Sequence, residues 1–138
     1  MRILGFNKRW PKLTLEVFTT FRFPRKDRDW EVGEKVQCVL HPRSKQQEVL
    51  FTAEIMAREP RWMYAWPPND GVPVVSNEEA ANDGFPEVHD GWGARMQMWG
   101  WLYDHYPLGR LFGEPMNKLT LKKVMKVTNL RTRREAKK

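Results

Sequence analysis

The chain has one cysteine, Cys38, and three widely scattered histidines, His41, His89 and His105. A single thiol cannot close an internal disulfide, so a reducing, cytoplasmic setting is expected. Cys38 falls on the apolar face of an expected strand, where thiols are inert, and this argues against a Cys/His nucleophile. The histidines have no Cys or carboxylate at ligand spacing, so no metal centre is expected. His105 falls on the apolar stripe of an expected helix and reads as a core residue. No apolar run approaches the roughly 18 residues of a membrane span, and no membrane partner is expected. The opening Met-Arg-Ile-Leu-Gly-Phe meets Asn7, Lys8 and Arg9 too soon to hold a signal-peptide core. No Gly-rich phosphate loop is present, which leaves no cofactor to expect.

What is present is an apolar share of 41% in 138 residues, enough for the core of one domain and too little chain for two. The formal charge of +7 is unevenly placed. Residues 1–121 carry 16 Lys/Arg and 16 Asp/Glu, so the excess lies in residues 122–138, with eight basic residues and one acid, Glu135. Within the body, Lys8–Lys45 holds ten basic residues and five acids, whereas Glu48–Glu114 holds four and eleven. The pattern predicts a domain over 1–127 with an electropositive face and an acidic flank, followed by a basic, flexible tail over 128–138. Either a polyanion partner or a solubilising tail accounts for that tail.

Strand-like alternation predicts strands over Glu16–Phe23, Val36–His41, Val49–Met56 and Lys118–Val127, with a short one near Arg2–Phe6. In the first of these, Val17, Thr19, Phe21 and Phe23 share what reads as the apolar face, with Phe18, Thr20 and Arg22 opposite. Ser76 with Glu79 fits a capping box, and Gly84 fits the left-handed stop of the same short helix. A second helix is expected from Ala94 to Tyr106, with Met98, Trp101, Leu102 and His105 as its buried stripe. Residues Arg61–Pro73, with Trp62, Tyr64 and Trp66 among prolines and Gly71, read as an aromatic loop, packed as core or offered to bases. The class is α+β, with two or more helices inserted before the last strand.

The segment Thr20-Phe21-Arg22-Phe23-Pro24-Arg25-Lys26-Asp27-Arg28-Asp29-Trp30 has unusual chemistry. Arginine forks hold phosphate oxygens, and an aromatic interleaved among them can stack a splayed base. The alternative is a solvated loop in which Asp27 and Asp29 pair with Arg25, Lys26 and Arg28. On the first reading Thr20, Arg22, Arg25, Lys26, Arg28 and Trp30 bind RNA or single-stranded nucleic acid, and Arg43 and Lys45 add phosphate contacts.

Four elements in order resemble the ASCH-domain family of PUA-like β-barrels: Thr20-Phe21-Arg22; Val32-Gly33-Glu34-Lys35-Val36; Ala53-Glu54-Ile55; and Ser76 through Phe85. The resemblance covers most of residues 13–122. It implies a small PUA-like β-barrel whose flanking helices border a cleft, and a role in RNA binding or in processing RNA-derived nucleosides. Some members resemble amidohydrolases of acylated cytidine that use a lysine, a threonine and a glutamate, and others are similar to single-stranded ribonucleases. The Phe-Arg-Phe-Pro-Arg-Lys-Asp loop is similar to that of members carried by phages and prophages.

The chain departs from the amidohydrolase pattern. Val17 stands where the resemblance calls for lysine, Leu15 where it calls for glycine, and Asp83 where it calls for glutamate. Valine cannot take a proton from a threonine nucleophile, so Lys12 or Lys26 would have to reach in from elsewhere. The expectation is therefore an RNA- or nucleotide-binding module without its own catalysis. The alternatives are a hydrolase of RNA or a modified nucleoside using Thr20 and Asp83, and a phage accessory factor whose acidic flank docks a host protein.

Overall fold

The computed structural model describes residues 1–63, 70–85 and 93–124. The strands are β1 (Arg2–Phe6), β2 (Val17–Arg22), β3 (Lys35–Leu40), β4 (Glu48–Arg61) and β5 (Met116–Lys123). They form one mixed sheet in the order β1-β3-β4-β5-β2, in which only β1 and β3 run parallel. The sheet curls until Phe6 on one edge strand and Phe18 on the other meet edge to face, with centroids 6.5 Å apart. Among the described residues no hydrogen-bonded pairing joins β1 to β2, so the sheet stays open between them and the expected barrel is not seen to close.

Helices α1 (Asn77–Asp83), α2 (Ala94–His105) and α3 (Leu108–Gly113) lie between β4 and β5 in the chain, and a 3-10 turn at Pro11–Thr14 precedes β2. Ser76 caps α1 as its sequence predicts: its hydroxyl accepts from the Glu79 amide at 3.1 Å while the Glu79 carboxylate accepts from the Ser76 amide at 3.0 Å. Gly84 ends the helix at φ 121°, a conformation that costs a side-chain-bearing residue strain. Helix α3 was not legible in the sequence, because Pro107 reads as a stop; here it is the N-cap of a new helix.

Two apolar clusters form the core of the described residues. One packs Leu4, Phe18, Trp30, Val36, Cys38, Ile55, Leu119 and Leu121 inside the curl. Burial there pushes the Cys38 thiol up to about 12, so it stays protonated and unreactive. The other joins Phe21, Phe23, Met63 and Met116 to the helices through Ala80, Met98, Leu102 and Leu111.

Three expectations need correction. On β2 the inward face is Phe18, Thr20 and Arg22, while Val17 is exposed; Phe21 and Phe23 are buried on the other side, under the helices. Both faces of this strand are covered at its end, so alternation alone could not identify the inner one. Strand β4 runs past Met56 to Arg61 despite the polar Arg58-Glu59-Pro60-Arg61, since β5 pairs with it over that whole length. His105 is exposed and stacks on Trp101 with centroids 3.9 Å apart, because it occupies the last turn of α2 beyond the reach of the core. Of the two readings of the aromatic loop, Trp62 follows the core one: it is buried, with its indole N–H donating to Asp70 at 3.0 Å. Tyr64 and Trp66 lie outside the described residues, as does the basic tail over 128–138.

Candidate functional site

A cavity of about 410 Å³ opens where the two sheet edges approach each other under α1 and α2. Its wall is largely aromatic, with Phe6, Trp10, Phe85, Trp101 and Tyr106, and its polar side chains include Asn7, Thr20 and the charged Lys12, Arg22 and Asp83. Three elements deliver the charged groups and Thr20. The Pro11–Thr14 turn drops Lys12 inward, β2 presents Thr20 and Arg22 two residues apart on one face, and the last residue of α1 is Asp83.

Lys12 and Asp83 form a buried ion pair, the ammonium donating to one carboxylate oxygen. Desolvation lowers the Lys12 pKa and raises that of Asp83, although each partner opposes the other's shift. Both groups are thus drawn toward neutrality, which makes proton exchange between them easier than in water. Arg22 is half-buried, and the partial loss of water around it lowers its pKa. Its guanidinium lies 4.8 Å from the Phe6 ring centroid, and its Nε donates to the Thr20 hydroxyl at 3.3 Å.

Comparison of the chain with protein-family models, curated proteins and solved structures returned no match.

Of the residues expected to contact nucleic acid, Thr20 and Arg22 line the cavity, and Arg25, Lys26, Arg28, Trp30, Arg43 and Lys45 do not. The loop after β2 is largely tied to itself and to the sheet. Arg25 pairs with Asp27 at 3.3 Å, Arg28 lies 3.8 Å from Glu31 and 3.9 Å from Glu34, and Arg58 reaches Asp29 at 3.3 Å. Trp30 is not available to stack a base, because it is buried in the core with the Arg2 guanidinium 4.5 Å from its ring centroid. Lys26, Arg43 and Lys45 are exposed and remain accessible to a phosphate backbone. The acidic flank is likewise partly consumed within the fold: Glu48 pairs with Arg9, Glu79 with Arg61 and Lys118, and Glu114 with Arg110.

Lys12 is the residue that sequence reasoning raised without placing. The only local signal is a lysine held between Pro11 and Leu13 in a segment too short to form a strand. Its partner lies 71 positions away, a separation that no local pattern encodes.

The Arg2–Glu34 bridge anchors the basic loop and carries its own pH signature. The Arg2 guanidinium grips both Glu34 oxygens at 2.6 Å, which holds the Glu34 carboxyl below its usual range. A depressed carboxylate stabilises the fold above the unfolded glutamate value, about 4.3, and loses that contribution as pH falls through its lower folded value. Melting temperatures of wild type and Glu34→Gln should therefore differ at pH 7 and converge as the pH is lowered from about 4 toward 2. A gap that persisted at pH 2 would show that packing, not the charge, holds the loop.

Proposed function

We propose that the protein binds RNA or a nucleotide by taking one base into the aromatic cavity, with exposed Lys26, Arg43 and Lys45 available to a flanking backbone. The observation that carries this is the cavity itself: aromatic walls around a small set of converging polar groups, in a volume within the roughly 300–1,000 Å³ of small-molecule sites. Indole and phenyl faces stack bases of any sequence, and a few polar groups then select among them. The resemblance to ASCH-type PUA-like barrels and the curled sheet with helices over its open seam point the same way.

Titration of nucleosides and short single-stranded RNA, followed by tryptophan fluorescence, tests the reading. Saturable quenching is expected, and Trp101→Ala should weaken it by about 1–3 kcal/mol, the worth of one stacked base. Failure of every nucleoside and oligonucleotide to bind would sink the proposal.

A hydrolase is the second reading, favoured by one observation: Lys12 brings to this cavity the amine that Val17 cannot provide, beside Asp83 and with Thr20 on the same wall. In that chemistry the Lys12–Asp83 pair takes the proton of the Thr20 hydroxyl as its oxygen attacks an acyl carbon. The departing amine recovers the proton, and water then releases the acyl group. Turnover of an acylated cytidine that disappears in Thr20→Ala with binding retained would establish it; binding without turnover leaves the module reading.

A further inference from the structure

We infer that the ligand of this cavity carries an oxyanion, a phosphate or a carboxylate, and that Arg22 holds it. The inference rests on the cavity being a ligand site and adds the charge class of the occupant. Three formal charges face the cavity among the described residues: Lys12, Arg22 and Asp83. Lys12 and Asp83 cancel in a direct ion pair, so one positive charge is left over, and it belongs to Arg22. The single hydrogen bond of that guanidinium among the described residues runs from Nε to the Thr20 hydroxyl, and no carboxylate pairs with it.

A half-buried guanidinium whose terminal donors face a cavity is best satisfied by an acceptor placed there. The Phe6 ring attracts the cation through its π face but offers no in-plane acceptor to the terminal nitrogens. An oxyanion satisfies both the charge and the donors, and the planar fork of arginine matches a carboxylate or phosphate edge to edge. A guanidinium stays protonated even where burial opposes it, so the cavity keeps its positive charge at neutral pH. Neutral ligands would leave that charge uncompensated.

The test titrates an uncharged nucleoside, its 5′- and 3′-monophosphates, a pyrimidine carboxylate and inorganic phosphate separately. Wild type, Arg22→Lys and Arg22→Gln are compared after circular dichroism has confirmed folding. Charged ligands should bind at least about tenfold more tightly than the parent nucleoside; Arg22→Lys, which keeps the charge and loses the fork, should shrink that preference, and Arg22→Gln should abolish it. Whether the monophosphates or the carboxylate gain more identifies the source of the anion. In wild type, the Arg22 side-chain N–H resonance should move when inorganic phosphate is added. A nucleoside that binds as well as its charged counterparts, with both variants indifferent, would overturn the anion assignment and leave the base pocket standing. A phosphate response at Arg22 without nucleoside or nucleotide binding would keep the anion seat and sink the base pocket. No response to any of these probes would overturn both.

Discussion

Asp83→Asn should destabilise the protein by about 3–5 kcal/mol at pH 7, because it leaves the Lys12 charge buried without its partner. The pair lies almost entirely out of water, with side-chain exposures of 5% for Lys12 and 10% for Asp83, so solvent cannot take over the role of the carboxylate. The deficit carries a defined pH dependence. In the variant, the folded-state pKa of Lys12 falls below its unfolded value by desolvation. A base with a lowered folded pKa destabilises most when the pH is below that folded value. The penalty fades as the pH rises toward the unfolded lysine value of about 10.4, where the amine is neutral in both states. Urea unfolding of the variant between pH 6 and 10 measures this. Replacing both partners with apolar residues, as in Lys12→Met/Asp83→Leu, should restore most of the stability, since neither charge then has to be desolvated. A single variant that lost less than about 1 kcal/mol would mean that water reaches Lys12 and that the pair is not closed.

Gly84→Ala should cost about 2–3 kcal/mol and disable the cavity in the molecules that still fold. Two separate causes act at this position. At φ 121° a residue with a side chain is strained, and a Cβ built there would fall 2.6 Å from Cε3 of Trp10. Trp10 is an aromatic wall of the cavity, packed on Phe85 with centroids 5.3 Å apart, so relief of the clash has to move that wall. Gly100 gives the contrast. It lies inside α2, where a Cβ would meet nothing within 4 Å, and Gly100→Ala should stabilise the helix by about 0.5–1 kcal/mol. Thermal melts of the two variants, with nucleotide binding measured on each, separate backbone strain from the loss of the wall. Normal binding by folded Gly84→Ala would show that Trp10 can shift without consequence for the site.

Much of the local structure is determined by the sequence alone, because its causes lie within a few residues. The capping box of Ser76 and Glu79 and the left-handed stop at Gly84 bound α1 as written, since each device satisfies backbone groups a turn away. Alternation marks β3 and the centre of β5, where Val36, Cys38, Leu119 and Leu121 are wholly buried. The α+β order, with helices ahead of the last strand, follows from the same local signals. Tertiary structure decided the rest. Local alternation cannot say which side of β2 faces inward when the curl covers one face and the helices cover the end of the other. The ion pairs of the basic loop depend on Arg2 and Arg58 as well as on its own acids. The cavity exists because the curl brings β1 beside β2, while α1 and the Pro11–Thr14 turn deliver Asp83 and Lys12 to the same point. Residues that meet across tens of positions are joined by the burial of apolar faces, and that burial is a property of the packed chain rather than of any segment within it.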